Sequence, residues 1–208
     1  MNQRDIAGVI LAGGLARRMG GGDKALGLID GRSMFDRVKS RLAPQVGAMA
    51  LNANGDPRRL ADLDLPVIPD SIGEYPGPLA GVLAGMDWAA TQGASHVLTV
   101  AADTPFFPTD LGERLCAGIT PDAPIALAAT PDPKRGMARH PTFGVWPVAL
   151  ADDLRQSLLD GVRKVVLWTD SHGAAMVPFS ADPFDPFFNV NTPDDMATAE
   201  ALAKEHGL

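Results

Sequence analysis

Short apolar runs alternate with helical patterns along the first half of the chain. The run 6–11 is apolar and rich in β-branched residues, which at this length favours a buried strand over a helix. Apolar residues recur at helical spacing over 34–42, after a capping Ser33, and again over 79–91, so each stretch predicts a helix. Further extended segments are predicted at 26–31, where Asp-Gly forms a turn, and at 48–51, 67–68 and 96–102.

This order of strands and helices predicts an α/β fold. Strand, helix, strand, helix builds a mostly parallel sheet with helices on both faces, which is a three-layer, Rossmann-like architecture. The parallel strands of such a sheet bring their carboxyl ends to one edge, where ligands bind. The pattern therefore predicts where functional residues lie before any of them is identified.

The second half of the chain is less regular and is dense in proline. Strands are predicted at 125–129, 142–146 and 187–191. Helices are predicted at 149–159, 163–168 and 193–204, the last with Thr192 as its N-cap and Pro193 in its first turn. We expect the turns at 131–136 to be the most mobile stretch.

Composition describes a single acidic domain. A chain of 208 residues with 46% hydrophobic residues is long enough for one core and short for two. A net charge of −7 excludes a general nucleic-acid binder. Cys116 is the only cysteine, which excludes an internal disulfide and fits a reducing cytoplasm. Neither a membrane-spanning stretch nor a signal peptide is predicted, so we expect no contact with a membrane.

A glycine-rich, cationic loop follows the first predicted strand at 11–24. Its glycines let the backbone approach a ligand, so that successive N–H groups converge on anionic oxygens. Arg17, Arg18 and Lys24 add positive charge. A mobile surface loop with solvated basic residues is the alternative. The strand in front of the loop and the cations within it favour phosphate binding.

Two familiar phosphate-binding motifs do not fit this loop. Lys24 is followed by Ala25, so the hydroxyl that holds magnesium in a P-loop is missing. The glycines do not fall as G-x-G-x-x-G, and no helical pattern opens at the loop as a dinucleotide-binding motif requires. The loop is therefore of a different type.

Polar residues also follow three further predicted strands. Asn52, Asp70 and Asp103 come at or just past the strand ends, so the fold brings them to the same edge as the loop. Each has an ordinary alternative explanation as a turn or strand-end residue. At a shared edge, however, the Asp103 carboxylate is the hard oxygen ligand that Mg²⁺ prefers, and the Asn52 amide can read a base or a ribose.

The loop, with Leu-Ala-Gly-Gly at 11–14 and Asp23-Lys24, resembles the signature of nucleotidyltransferases with the nucleotide-diphospho-sugar transferase fold. It is most similar to the molybdenum cofactor guanylyltransferase (MobA) family. Cytidylyl- and sugar nucleotidyltransferases share this first motif, so the segments 75–81, 103–105 and 189–195 carry the assignment. The motifs keep their order over nearly the whole chain.

The resemblance implies roles for individual residues. Asp103 would bind Mg²⁺, Lys24 would lie at the α-phosphate of GTP, and Arg18 would stabilise the departing pyrophosphate. The expected GTP-binding residues are Leu11, Ala12, Gly13, Gly14, Lys24, Asn52, Asp70, Gly81 and Asp103. The expected acceptor-binding residues are Arg139, His140, Asn189 and Asn191. His140 is equally explained as a packed residue, and the two asparagines would share one face of the last predicted strand.

The implied reaction transfers GMP from GTP to molybdenum-molybdopterin, which releases pyrophosphate and forms molybdopterin guanine dinucleotide. The nucleotide would occupy the half at about 1–110 and the pterin the half at about 111–208. The resemblance also suggests a molybdenum-insertion protein and molybdoenzyme chaperones as protein partners.

Three alternatives stay open. Related molybdopterin cytidylyltransferases use CTP, but they carry Leu-Ala-Ala-Gly where this chain has Leu-Ala-Gly-Gly. A sugar-phosphate nucleotidyltransferase would share the loop. A non-catalytic nucleotide or pterin carrier would use the cleft only to bind, which leaves Lys24 and Asp103 without a purpose.

Overall fold

The computed structural model of the protein describes residues 2–12, 27–73 and 77–208. Its strands are β1 (Ile6–Leu11), β2 (Leu28–Ile29), β3 (Arg32–Ser33), β4 (Ala48–Asn52), β5 (Val67–Ile68), β6 (His96–Ala101), β7 (Ile125–Asp132), β8 (Gly136–Pro147) and β9 (Ala174–Pro178). Its α-helices are α1 (Met34–Leu42), α2 (Pro78–Thr91), α3 (Leu111–Gly118), α4 (Ala151–Leu159), α5 (Val165–His172) and α6 (Pro193–His206). Short 3-10 helices lie at Gln3–Asp5, Ala43–Gln45, Pro57–Leu63 and Val148–Leu150.

Seven of the strands form one sheet in the order β5-β4-β1-β6-β8-β7-β9. β8 runs antiparallel to β6 and β7, and the other neighbouring pairs are parallel. β2 and β3 form a separate antiparallel hairpin, and its predicted Asp30-Gly31 turn has a positive φ at both residues, as a tight hairpin turn requires. The predicted mostly parallel α/β sheet is confirmed.

Helices pack on both faces of the sheet. On one face, α1 and α3 bury Phe35, Leu42 and Leu115 against the strands. On the other face, α2, α4 and α5 bury residues that include Leu83 and Trp168. Because both faces are covered, all six residues of β1 are buried and the strand is an unbroken apolar run. The central strands are therefore fixed between two helical layers, and the polar residues follow directly at their carboxyl ends.

Two predicted helix starts are confirmed by their hydrogen bonds. The Ser33 hydroxyl accepts the N–H of Asp36 at 3.0 Å and caps α1. At α6 the Thr192 hydroxyl accepts the N–H of Asp195, and the Asp195 carboxylate accepts the N–H of Thr192 in return. Both bonds satisfy backbone donors that the first helical turn leaves unpaired.

The predicted last strand at 187–191 is wrong. That segment is irregular, and the N–H of Val190 donates to the Asp103 carbonyl at 2.8 Å, in the loop that follows β6. The edge strand is β9, which pairs in parallel with β7. Short apolar runs do not by themselves show which of them enters a sheet. Here the outer edge of β7 accepts β9, while 187–191 packs at the end of the sheet.

The sequence pattern also does not predict α3 or the first part of β8. β8 begins at Gly136, well before the predicted start at 142. A β-bulge opposite Leu127 and Ala128 shifts the register and accommodates Pro141 within the strand. The predicted mobile turn is the tip of this hairpin, where the Asp132 carboxylate accepts the N–H groups of Lys134 and Arg135. Its mobility stays a prediction.

Candidate functional site

The polar strand-end residues meet at one edge of the sheet, as predicted. In the sheet register Leu11 lies opposite both Asn52 and Ala101, and Asn52 lies opposite Ile68. The backbone bonds continue past the strands, because the N–H of Ala12 donates to the Asn52 carbonyl at 2.9 Å. The four strands β5, β4, β1 and β6 therefore end level with one another, and Asp70 and Asp103 follow directly.

Asn52 and Asp70 are in direct contact. Asn52 is 3% exposed, and its Nδ2 donates to Asp70 Oδ1 at 3.0 Å and to the Ile68 carbonyl at 3.2 Å. Asn54 lies on the other side of the same carboxylate and donates from Nδ2 to Asp70 Oδ2 at 2.7 Å. Asn52 and Asp70 are predicted from the sequence, whereas Asn54 is not; its two-residue spacing from Asn52 is the only signal in the sequence.

Gly81 lies inside α2 where the helix crosses Asn52. A Cβ at position 81 would stand 2.4 Å from Asn52 Oδ1 and 3.0 Å from Leu11 Cδ2. The first distance is too short for a Cβ contact and the second is tight, so close packing of α2 on the strand ends favours glycine at this position. This gives Gly81 a steric role at the site whether or not its backbone touches a ligand.

Asp103 and Asn189 are joined through Thr104. Asp103 follows β6, and its carbonyl accepts the N–H of Val190 at 2.8 Å. The hydroxyl of the fully buried Thr104 donates to Asn189 Oδ1 at 2.5 Å. The expected metal ligand and an expected acceptor-binding residue are thereby held together. Thr104 is a second residue that the sequence analysis missed, although it stands inside the Asp-Thr-Pro motif.

Asn191 differs from Asn189 in its surroundings. Its backbone N–H donates to the Asp195 carboxylate at 2.8 Å, within the cap of α6. Because 187–191 is not a strand, the two-residue alternation that would align the two asparagines on one face does not apply. The acceptor-binding role of Asn191 stays a prediction.

Arg139 and His140 lie on opposite faces of β8, as neighbours on a strand must. His140 Nε2 is 2.8 Å from the Thr130 hydroxyl, and its ring stacks on Phe187 with centroids 4.3 Å apart. Arg139 turns to the other face and pairs with Asp170 of α5 at 2.6 Å. The structure therefore does not join the two into one acceptor-binding pair, and their roles stay predictions.

The environment of His140 disfavours a charged ring. Burial lowers the pKa of His140 below its ordinary value, and the nearby Asp185 carboxylate acts in the opposite direction as a smaller effect. A neutral imidazole between a hydroxyl and an aromatic ring is a packed group. This agrees with the alternative explanation of His140 as a structural residue.

Several expected site residues lie outside the described residues. These are Gly13, Gly14, Arg18 and Lys24 of the glycine-rich loop, together with Tyr75 and Pro76 of the segment before α2. Residues 13–26 are flanked by Ala12, which follows β1, and by Gly27, whose carbonyl accepts the N–H of Met34 at 2.9 Å. Ala12 lies at the site edge.

The residues at this edge fit magnesium bound jointly with phosphates. Within 2–12, 27–73 and 77–208, no group of three or more His, Cys, Asp or Glu side chains could enclose a metal ion. Mg²⁺ bound with a nucleotide commonly takes one or two carboxylates and fills its other positions with phosphate oxygens and water. The partly exposed Asp103 carboxylate at the strand end suits such a shared site.

A second concavity lies away from this edge. It has a volume of about 540 Å³ and is lined by Gln3, Gln45, Asp110, Glu113 and Cys116 among others, near the start of β1. Burial raises the pKa of the Cys116 thiol, which disfavours its thiolate form. We assign no role to this groove.

A mostly parallel sheet with carboxylates and amides gathered at its carboxyl edge places the protein among the α/β proteins that bind ligands at that edge. Residues 8–174 match the MobA-like NTP transferase domain. The chain belongs to this family, and the predicted resemblance is confirmed.

Two relatives span almost the whole chain. A molybdenum cofactor guanylyltransferase of Rhodopseudomonas palustris is 52% identical over 199 residues, covering 94% of this chain and 92% of the relative. A protein of the same name from a Bradyrhizobium strain is 48% identical over 202 residues, covering 95% of this chain and 93% of the relative.

Solved structures share the fold. Molybdopterin-guanine dinucleotide biosynthesis protein A from Archaeoglobus fulgidus superposes with a TM-score of 0.67 at 22% identity, over 96% of this chain and 99% of that one. A 4-diphosphocytidyl-2C-methyl-D-erythritol synthase from Anaerococcus prevotii reaches 0.75 at 13% identity, with 97% of each chain covered. In the part of the chain that is described, no helix has the length and apolar character to cross a membrane.

Proposed function

We propose that this protein transfers GMP from GTP to the terminal phosphate of molybdenum-molybdopterin, forming molybdopterin guanine dinucleotide and pyrophosphate. The observation that carries the proposal is the 52% identity, over 94% of the chain, to a molybdenum cofactor guanylyltransferase. The site edge supports it, because Asn52, Asp70 and Asp103 all lie where a nucleotide would meet the sheet.

The reaction exchanges one phosphorus–oxygen bond for another. An oxygen of the molybdopterin phosphate attacks the α-phosphorus of GTP, and the bond to the bridging oxygen of the β-phosphate breaks. Pyrophosphate leaves with that electron pair. The attacking oxygen is already anionic, so no strong general base is needed, and alignment of the two anions is the main difficulty.

Charge neutralisation is therefore the principal task of the site. Asp103 would hold Mg²⁺, which supplies positive charge to the phosphate oxygens. Lys24 would lie at the α-phosphate and Arg18 at the departing pyrophosphate, while the loop amides bind the remaining oxygens. These assignments to the loop are part of the proposal, as the loop lies outside the described residues.

The two halves of the chain would divide the substrates between them. GTP would bind at the ends of β1, β4 and β5 beside α2, in the half at about 1–110. Molybdopterin would bind in the half at about 111–208, near Asn189. The bond between Thr104 and Asn189 then joins the two sides beside Asp103.

Guanine is the proposed base because the relatives at about half identity are named guanylyltransferases. CTP and sugar phosphates are the alternatives to be tested. Purified protein with Mg²⁺ should release pyrophosphate from GTP only when molybdenum-molybdopterin is present, and much less from CTP or ATP. A preference for CTP, or for a sugar phosphate as acceptor, would overturn the proposal.

Binding without turnover is the outcome expected of a carrier. If GTP and the pterin both bound but no pyrophosphate appeared with Mg²⁺, the protein would be a carrier and not a transferase. The cytoplasmic location, the molybdenum-insertion protein and the molybdoenzyme chaperones stay predictions that follow from the proposed reaction.

A further inference from the structure

The Asp70 carboxylate is held by two amide side chains, one on each oxygen. Asn52 Nδ2 donates to Oδ1 at 3.0 Å, and Asn54 Nδ2 donates to Oδ2 at 2.7 Å. A partly exposed carboxylate would otherwise rotate among several orientations. With one donor fixed on each oxygen, the plane of the carboxylate is set by the two asparagines.

Both polar atoms of the Asn54 side chain form hydrogen bonds with Asp70. Its Nδ2 donates to the Asp70 carboxylate, and its Oδ1 accepts the Asp70 backbone N–H at 2.9 Å. The backbone of Asn54 is fixed as well, since its carbonyl accepts from Arg59 Nη2 at 2.9 Å. This reciprocal pair ties the turn after β4 to the turn after β5.

Asn52 also orients Asp70. The residue is 3% exposed, and its Nδ2 donates to the Asp70 carboxylate and to the Ile68 carbonyl. Its Oδ1 lies against Gly81, so a Cβ added at position 81 would stand only 2.4 Å from this oxygen. An amide in this position helps to orient Asp70.

We propose that Asn54 is a positioning residue that acts on the nucleotide through Asp70. The inference rests on the proposed binding of GTP at this edge. A carboxylate has about four acceptor positions, so two amide donors leave others for N–H or O–H groups of the nucleoside. Guanine offers an N–H edge with a 2-amino group, and ribose offers hydroxyls.

A double-mutant cycle on GTP affinity tests this coupling. Asn54 is exposed, so Asn54→Ala should still fold, with only a small drop in Tm from the loss of its two bonds to Asp70. Because hydrogen bonds to charged groups are the stronger ones, we expect the Kd for GTP to rise about tenfold in Asn54→Ala and at least as much in Asp70→Ala. Asn54→Ala should add nothing in the Asp70→Ala background, because the group it orients is gone.

Two further variants separate positioning from a purely structural role. Arg58→Ala removes a side chain that is 90% exposed on the same turn and pairs with Asp56, so it should leave GTP affinity unchanged. Asn54→Asp keeps an acceptor for the Asp70 N–H but sets two carboxylates against each other, so it should bind GTP at least as weakly as Asn54→Ala. In the transfer assay Asn54→Ala should raise KM for GTP and leave kcat nearly unchanged.

The nucleoside group that Asp70 contacts is identified with analogues. If the loss in Asn54→Ala disappears with inosine triphosphate, the contact is the 2-amino group, and if it disappears with 2′-deoxy-GTP, it is the ribose. A full loss with both analogues would contradict a contact through either group. The inference also fails if Asn54→Ala binds GTP like the parent protein. It fails equally if Asn54→Ala lowers GTP affinity by the same factor in the Asp70→Ala background as in the parent. If Asn54 and Asp70 were coupled in GTP affinity but the protein transferred no GMP, the proposed function would be contradicted and this inference would stand.

Discussion

Gly81→Ala is expected to damage the nucleotide edge through a single methyl group. Inside a helix this exchange ordinarily stabilises a protein by about 0.5–1 kcal/mol. Here the new Cβ would stand 2.4 Å from Asn52 Oδ1 and 3.0 Å from Leu11 Cδ2. Either α2 moves outward or the buried Asn52 amide turns away, and the second movement breaks its bonds to Asp70 and Ile68.

The magnitude follows from these contacts. Overpacking costs about 1–3 kcal/mol, and a buried polar group that loses its partner costs about 1–3 kcal/mol. Set against the gain in helix propensity, the net destabilisation is roughly 2 kcal/mol, which lowers Tm by about 4–8 °C in a chain of this size. GTP affinity should fall about tenfold, because Asp70 loses one of the two donors that orient it.

Thermal unfolding and GTP titration of the same preparations measure both effects. Gly85→Ala is the matched control, since its Cβ would meet Val9 Cγ2 at 3.1 Å, an apolar contact one turn further along α2. It should bind GTP like the parent protein. The reasoning is refuted if Gly81→Ala is as stable as the parent and binds GTP equally well.

Three further predictions concern the other side of the site. Asp103→Ala should retain its fold and lose at least about 10²-fold in the rate of pyrophosphate release, and a parent-like rate with Mg²⁺ would contradict its role. Thr104→Val removes the hydroxyl that donates to Asn189, so KM for molybdopterin should rise about tenfold. Thr104→Ser keeps a hydroxyl and should have a KM near that of the parent. An equal rise of KM in both variants would show that the hydroxyl bond does not matter. Burial lowers the pKa of His140 from 6.5, so the stability it contributes is complete above 6.5 and is lost as the pH falls below that value. Between pH 7 and 5 the free energy of unfolding should therefore fall less in His140→Gln than in the parent protein. The same pH dependence in both proteins would argue against a buried neutral ring.

The edge of the sheet could be predicted from the sequence because it depends on local patterns. Apolar runs of strand length followed by polar residues identify β1, β4, β5 and β6, and parallel pairing then places Asn52, Asp70 and Asp103 together. The helix caps at Ser33 and Thr192 are equally local, since each is a bond over three residues. These predictions needed no knowledge of which distant segments pack together.

The features that the sequence did not reveal depend on such distant packing. Two segments are short and partly apolar, 174–178 and 187–191. The first is a strand because it pairs with the edge of β7, and the sequence alone does not show that pairing. The separation of Arg139 and His140 onto opposite faces follows once β8 extends back to Gly136, which a register shift opposite β7 makes possible. Asn54 and Thr104 are identified only by their partners, which lie 16 and 85 positions away in the chain.

The most direct test of GMP transfer follows the phosphorus atoms of GTP. The protein is incubated with Mg²⁺, molybdenum-molybdopterin and GTP labelled at either the α- or the γ-phosphate, and the products are separated. We predict that the α-label enters a molybdopterin guanine dinucleotide and that the γ-label leaves as pyrophosphate. Guanylyl transfer by this protein would be contradicted if GTP were broken down without any labelled dinucleotide product. It would also be contradicted if both labels stayed in intact GTP.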